Sequence, residues 1–576
     1  MNIVAKQKNS YSCLYDDVVH IIFSHLTLKD TINAGLTHKR WLHASVSTHI
    51  PCKNNSLNDV KIDFVYAAAI LSRYGHHFTT CEFGIVPITS ELESIVSQTI
   101  EQSTSLKTIK MCRSSFPSEV IQMLVSATVK SKSIHSVDMQ GCFGFRYTDK
   151  AMKNAISDII TKQSCTTTSI QIGHNYIGNE NIRYISHILE QHCSQITLID
   201  LSGNAFNSEG LRSMESVISK SLCLNTLILR SNKIDYDGAQ IVASFIQSST
   251  SLTFVDIYHN NVGIDGARVI ADALSKSKSI VSLNIGFNDI QDEGLEAISN
   301  ALVINPFITS INIKRNKIGD KGAQYIADAI TKSKSLQSID LSWNKDIGHI
   351  GAQCIANALK NSSSMTSINM MLTNIDMQGG VQFIMSAIEQ SSSIKIIDLS
   401  FNNINYEGIK DVASAIAKSQ FLTSINLNRC NICINGIKLL AAAIEQSTSL
   451  KSLSMSSNNI GEYGCDILAS AISKNATLTF IDLSCNNIKD KGAKSIADLI
   501  KNTNNRTLTS INLYSNSIGF EGAQAIADAI SFSKNVYINS INLSANNIDF
   551  QGERCIRSAV KSRKSNIMVY TDTFTN

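Results

Sequence analysis

The chain has 576 residues, of which 43 % are hydrophobic, 17 % charged and only four proline, a composition that excludes disorder as the overall state and predicts continuous regular structure. A formal net charge of +4 is close to neutral over this length and excludes nucleic-acid binding through a broad basic face. The apolar run around Phe64 to Leu71 is too short to cross a bilayer and the N-terminal "MNIVAKQKNSYS" lacks a signal-peptide core, so a soluble intracellular protein with no membrane partner is expected.

Residues 1–50 make the first predicted unit. Val18, Val19, Ile22, Phe23 and Leu26 fall at helical spacing, and a second helix carrying Ile32 and Leu36, with Asp30 as its cap, leads to Trp41. Three short helices cannot bury Phe23 and Trp41 from both sides, so apolar surface is left over for a partner. Leu14 to Trp41 resembles an F-box, the motif by which substrate receptors dock onto the adaptor of cullin-RING ubiquitin ligases. That family's L-P-x-E-[IL]-L-x-x-I-F-x-x-L, then D-L, then V-C-K-x-W, aligns without a gap on Leu14, Asp17, Val18, Val19, Ile22, Phe23, Leu26, Asp30, Lys39 and Trp41. Tyr15 stands for the usual Pro, Thr31 for a Leu, and Thr37-His38 for Val-Cys. The resemblance implies that Leu14, Asp17, Val18, Ile22, Phe23, Leu26, Ile32, Leu36 and Trp41 bind a ubiquitin-ligase adaptor protein. The alternative is a helical cap sealing the first repeat of a downstream array, although a cap has no need of I-F-x-x-L and K-R-W together.

Residues 51–105, with "VYAAAILSRYGHH" and "ELESIVSQTI", read as one or two degenerate repeats or a capping helical region. From Leu106 to the end, residues 106–576 repeat one pattern. "SINIKRNKIGDKGAQYIADAITKSKS" from Ser310 matches "FIDLSCNNIKDKGAKSIADLIKNTNN" from Phe480, and a recurrent Asn carries the register from Asn175 through Asn316 to Asn546, usually at a step of 28 residues. Ser114 and Cys142 before it, and Thr373 and Cys430 within it, take the same position, giving about sixteen units. Thr373 follows an extra residue and marks a local irregularity.

In each unit, Ile311 and Ile313 alternate with Ser310, Asn312 and Lys314, the period of a strand with one buried face. Asn316 is placed to bond backbone groups that the departing chain leaves unpaired, one per repeat in a ladder. Gly322 is expected to permit a tight turn into a helix whose Ala323, Ile326, Ala327 and Ile330 form one apolar face. Such units must stack, strands into a parallel sheet and helices behind it. Strands settle roughly 5 Å apart and helices roughly 8 to 10 Å, so the stack should bend into a horseshoe with the sheet inside. The pattern L-x-L-x-x-N-x-I-x-x-x-G-A-x-x-I-A-x-A-I resembles the leucine-rich repeats of the ribonuclease-inhibitor type, and is similar to the arrays of nucleotide-binding immune receptors (NOD-like receptors). The fold class implied is α/β, a right-handed leucine-rich-repeat solenoid behind a small all-α block. No G-x-x-x-x-G-K-[ST] occurs, so the receptors' nucleotide binding is not implied.

The residues six, four and two positions before each Asn should point into the concavity, with the residue just before the Asn on its rim. The middle column is a polar stripe of Asp256, Asn284, Asn312, Asp340 and their equivalents, expected to keep an open sheet soluble and not to hold metal. Tyr258, His259, Phe287, Lys314, Arg315, Trp343, Met371 and Phe401, with Leu372, gather bulky and basic groups on one sector, the residue types that dominate interface energies. They are the candidate target-binding surface.

Cys430 and Cys433 form a lone C-x-x-C without further ligands, and the fourteen cysteines fit a reducing compartment. No H-E-x-x-H, G-x-S-x-G or phosphate loop occurs; no catalytic residues, metal or cofactor are expected, and the chain reads as a non-enzyme. The leading expectation is a substrate-recognition subunit of a cullin-RING (SCF-type) ubiquitin ligase, cytoplasmic or nuclear, or in host cytoplasm if its source is an intracellular bacterium or virus. Its partners would be the adaptor and an unknown protein target. The alternatives are a repeat scaffold or inhibitor with an N-terminal cap, and a regulator similar to the Ran GTPase-activating proteins, whose acidic tail the final "KSRKSNIMVYTDTFTN" lacks.

Overall fold

The computed structural model describes residues 59–62, 79–83, 90–111, 118–142, 149–162, 168–192, 195–375, 379–501, 506–532, 537–562 and 567–571. The F-box-like stretch, with all nine candidate adaptor-binding residues from Leu14 to Trp41, lies outside the described residues, as does "VYAAAILSRYGHH".

The described residues form two compact units, one running to Phe206 and including Ser216–Thr226, the other made of Asn207–Glu215 and the chain from Leu227 onward. In the first unit the strands Asp59–Ile62, Thr80–Phe83, Thr108–Lys110, Ser136–Asp138, Ser169–Gln171 and Leu198–Asp200 pair in parallel, each with the next. Helices Ser90–Gln102, Ser118–Lys130, Asp149–Lys162 and Gly178–His192 alternate with them. Its central strand residues Cys81, Ile109, Val137, Ile170 and Ile199 stand in register and are all buried.

The second unit repeats the plan with greater regularity. Parallel strands from Phe254–Asp256 through Ser310–Asn312 to Ser540–Asn542 and Met568–Tyr570 pair in sequence order, and their central residues run Val255, Leu283, Ile311, Ile339, Ile368, Ile397 and on to Ile541 and Val569. Each strand is only three residues long, because the next inward residue, Ile313, already turns toward the helix layer and is fully buried there. Helix Asp320–Lys332 is the typical partner, burying Gly322, Ala323, Ile326, Ala327, Ala329 and Ile330. Each such Ile, sealed between its own strand and the helices of adjacent repeats, contributes on the order of 2 kcal/mol. These are leucine-rich-repeat solenoids, as the periodicity predicts.

The Asn ladder forms as expected. Asn316 is wholly buried; its Oδ1 accepts the N–H of Asn288 at 2.8 Å and of Ile290 at 3.4 Å, and its Nδ2 donates to the carbonyls of Ile285 at 3.0 Å and Ile313 at 3.1 Å. One amide therefore satisfies backbone groups in two repeats, the condition for burying a bend. Asn344, Asn458, Asn486 and Asn516 bond in the same way. Cys430 keeps the donor half, with Sγ facing Leu399 O at 3.3 Å, and Thr373 donates to Met370 O at 2.8 Å. The irregularity at Thr373 is visible downstream: the following helix, Gly380–Gln390, has 11 residues against the usual 13, and opens on a left-handed Gly379.

The reading of Gly322 needs correction. It does not open a turn; it lies in the first turn of its helix, and a Cβ there would come within 2.7 Å of Ile318 Cγ2. The glycine is a packing residue that lets helix and loop close together. The capping of these helices also crosses repeats. Asp320 Oδ1 accepts the N–H of Gly348 and of Gly351 at 2.7 Å each, at the start of helix His349–Asn361, and Asp490 does the same for Gly519 and Gly522. An acidic oxygen thus answers the unpaired N–H groups of the neighbouring helix.

Candidate binding face

The residue before each ladder Asn adopts a left-handed backbone. In the second unit this holds for His259 (φ 56°), Phe287 (55°), Arg315 (53°), Trp343 (62°), Leu372 (53°), Phe401 (59°) and Arg429 (53°). The bend that brings the Asn amide inward imposes the conformation, and among the other described repeats Gly141, His174, Gly203, Ser231, Ser457, Cys485, Ser515 and Ala545 occupy it. A left-handed backbone costs a side-chain-bearing residue roughly 1–2 kcal/mol. From His259 to Arg429 the position is filled in seven successive repeats by large side chains that gain nothing from that backbone. Strain kept at a run of solvent-accessible and half-buried positions points to a role for the side chains.

Those side chains touch one another. His259 stacks on Phe287 with ring centroids 4.3 Å apart, and Tyr258 lies 6.2 Å from each of these rings. Gly286 makes room for this cluster, since a Cβ there would meet Tyr258 Cδ2 at 2.8 Å. The Arg315 guanidinium lies 4.1 Å from the Phe287 ring and 5.6 Å from that of Trp343. Lys314 and Lys345 come within 5.8 and 5.9 Å of Trp343, and Arg429 within 5.0 Å of Phe401. All are within cation–π range. Tyr258, Phe287, Lys314, Trp343, Met371, Leu372 and Phe401 are half-buried, while His259, Arg315, Lys345 and Arg429 are exposed. The structure therefore brings the predicted cluster Tyr258, His259, Phe287, Lys314, Arg315 and Trp343 into one continuous strip, with Met371 one repeat and Phe401 two repeats further along the same columns. Sequence reading missed Arg230, Lys345 and Arg429; for Arg429, its place in the rim column would have found it.

At one end of the strip sits Asp256, its side chain fully buried. Burial pushes its carboxyl above the usual carboxylate range, against the backbone N–H of Tyr258, the Arg230 charge and a hydrogen bond from Asn284, which pull it down. The Arg230 guanidinium pairs with it and lies 5.8 Å from the Tyr258 ring. In the middle of the strip, Trp343 Nε1–H and Ser342 Oγ are buried without a hydrogen-bond partner among the described residues, at a cost of about 1–3 kcal/mol each.

The polar stripe also has a structural job. Asp256 Oδ1 accepts the N–H of Tyr258, Asn284 that of Gly286, Asn312 that of Lys314, Asp340 that of Ser342 and Asn369 that of Met371. The same bond to the residue two positions on recurs at Asp398, Asn426, Asp482, Asn512 and Asn542. These are Asx turns that end each strand. No group of His, Cys, Asp or Glu among the described residues could hold a metal ion. Cys430 is buried and Cys433 exposed at the start of helix Ile434–Gln446.

Comparison with known proteins agrees with this architecture. A family model described as "Leucine Rich repeat" matches residues 220–243, 276–299, 305–327, 332–356, 390–413, 446–466, 474–497 and 504–527. A second, "F-box domain", matches residues 11–53. No curated protein matches the chain. Among solved structures, a TLR13–ssRNA13 complex is similar over 87 % of this chain, at 15 % identity and a TM-score of 0.43, and the match spans 63 % of that chain. The "Rad7 and Elc1 complex in yeast" is similar over 68 % of this chain and 92 % of the other, at 14 % identity and a TM-score of 0.40. The leucine-rich-repeat-containing protein LegL7 from Legionella pneumophila is similar over 52 % and 96 %, at 15 % identity and a TM-score of 0.35. At such identities and scores these structures say nothing of what this chain binds. The repeats define the class, a leucine-rich-repeat solenoid protein. In the same chain, ahead of these repeats, residues 11–53 match the F-box domain model.

Proposed function

We propose that this chain is a substrate-recognition subunit of a cullin-RING ubiquitin ligase. Its F-box, residues 11–53, holds the adaptor by burying Phe23 and Trp41, and the open face of its repeats holds a protein target. Phe287, Arg315, Trp343 and Phe401 are the principal target contacts, with Tyr258, His259, Lys314 and Met371 beside them. Catalysis on this reading belongs to subunits the adaptor recruits. One observation carries the proposal: the same chain joins a sequence that matches an F-box domain to a strip of seven large side chains held at a strained position. Aromatic and Arg side chains of this kind supply about 2 kcal/mol or more each when a partner buries them. The full-length chain should retain the adaptor in a pull-down, and Phe23→Ala with Trp41→Ala should lose it. Retention of the adaptor by the double variant rejects the assignment.

A further inference from the structure

The charges of the strip specify the target further. Resting on the reading that this face binds the target, we propose that the bound element is an extended acidic segment of a protein, with carboxylates at both ends and apolar side chains between them. Lys314, Arg315, Lys345 and Arg429 carry no ion pair among the described residues and are engaged only with rings. By contrast, Arg230 at the near end is neutralised by Asp256, and Lys317 on the rim by Asp289 at 2.8 Å. Three of the free cations cluster around Trp343, and the fourth stands over Phe401. Between the two groups the two columns nearest the ladder present Met371, Leu372, Ser400 and Phe401, and the middle column adds Asn369 and Asp398, so no cation stands there.

The spacing fixes the length. Arg315 and Arg429 stand on repeats four strands apart, a span of roughly 19 Å at about 4.8 Å per strand. An extended chain covers that in about six residues. A nucleic-acid backbone would bring a phosphate to every sugar and needs cations all along its track, whereas the middle of this track holds no cation and carries the carboxyl group of Asp398. A peptide with separated acidic ends and a hydrophobic centre matches both the charges and the gap, and its carboxylates would meet donors already desolvated on one side by aromatic rings.

The test is a random peptide library displayed on phage and selected against the full-length chain. Enriched peptides should carry Asp or Glu at two positions about six residues apart with apolar residues between. Their binding should weaken about tenfold or more in Arg315→Glu/Arg429→Glu, and less in Arg315→Lys/Arg429→Lys. If the charge reversal unfolds the chain by circular dichroism, the neutral Lys314→Gln/Lys345→Gln pair, at lysines outside the core, replaces it and should also weaken binding. A neutral or basic consensus whose binding is lost in Trp343→Ala overturns the acidic assignment while leaving the face as the target site. Peptides held equally by wild type, the charge variants and Trp343→Ala overturn both readings. No enrichment, or preferential binding of a labelled single-stranded RNA, overturns the acidic segment.

Discussion

Asp256 shows what a single residue on this face must tolerate. Its carboxyl keeps its proton to higher pH in the folded chain than in the unfolded one, because burial outweighs Arg230 and the hydrogen bonds from Tyr258 and Asn284. Between the ordinary carboxylate value of about 3.9 and the raised native value, the folded state binds more protons than the unfolded, so stability falls as pH rises across that window. Asp256→Asn keeps an acceptor for the Tyr258 N–H and removes the titration. Its urea-unfolding midpoint should therefore change less between acidic and neutral pH than that of the wild type; parallel profiles for the two would show that the ion pair with Arg230 cancels the burial.

At the scale of the element, the Asn ladder is the joint on which each bend depends. Asn316→Ala strips the buried N–H groups of Asn288 and Ile290 of their acceptor at once, while the carbonyls of Ile285 and Ile313 keep a donor in the side-chain amides of Asn288 and Asn344. Some of these groups will find water, so a loss of roughly 3 kcal/mol is expected, set by the penalty for unpaired buried groups. In amide hydrogen exchange, Asn288 and Ile290 should lose protection while Asn458, three ladder positions beyond Thr373, keeps it. The ladder was legible from sequence because the Asn recurs at constant spacing with alternating Ile on either side, and only a bend satisfies both patterns. The helix faces were legible for the same reason, as Ala323, Ile326, Ala327 and Ile330 show. The Asx turn at Asp256 or Asn312 was not, since an Asp or Asn at an open position looks the same whether its oxygen meets water or its own backbone. Nor was the left-handed column: Phe, Trp and Leu have no propensity for positive φ, and the conformation is dictated by the bend and not by the residue. Gly322 misleads because glycine is needed equally for a turn and for close packing.

Over the whole molecule, repeats that touch chiefly their neighbours make stability local, a sum of units and interfaces in place of one core. Only Trp41 and Trp343 are available as fluorescent reporters, and Trp343 lies in the second of the two compact units. In a Trp41→Phe background, urea unfolding followed by Trp343 emission should not coincide with unfolding followed by helical circular dichroism. Coincident curves would mean that all the repeats unfold in one step.

The left-handed column has one further outcome. Because the backbone, and no neighbouring side chain, dictates the geometry of that position, the residue placed there can be exchanged without disturbing the ladder Asn beside it or the Ile beneath. Each repeat offers a slot whose occupant is free to vary while its mounting stays constant, so the face can be re-equipped one module at a time, like type reset in a fixed frame.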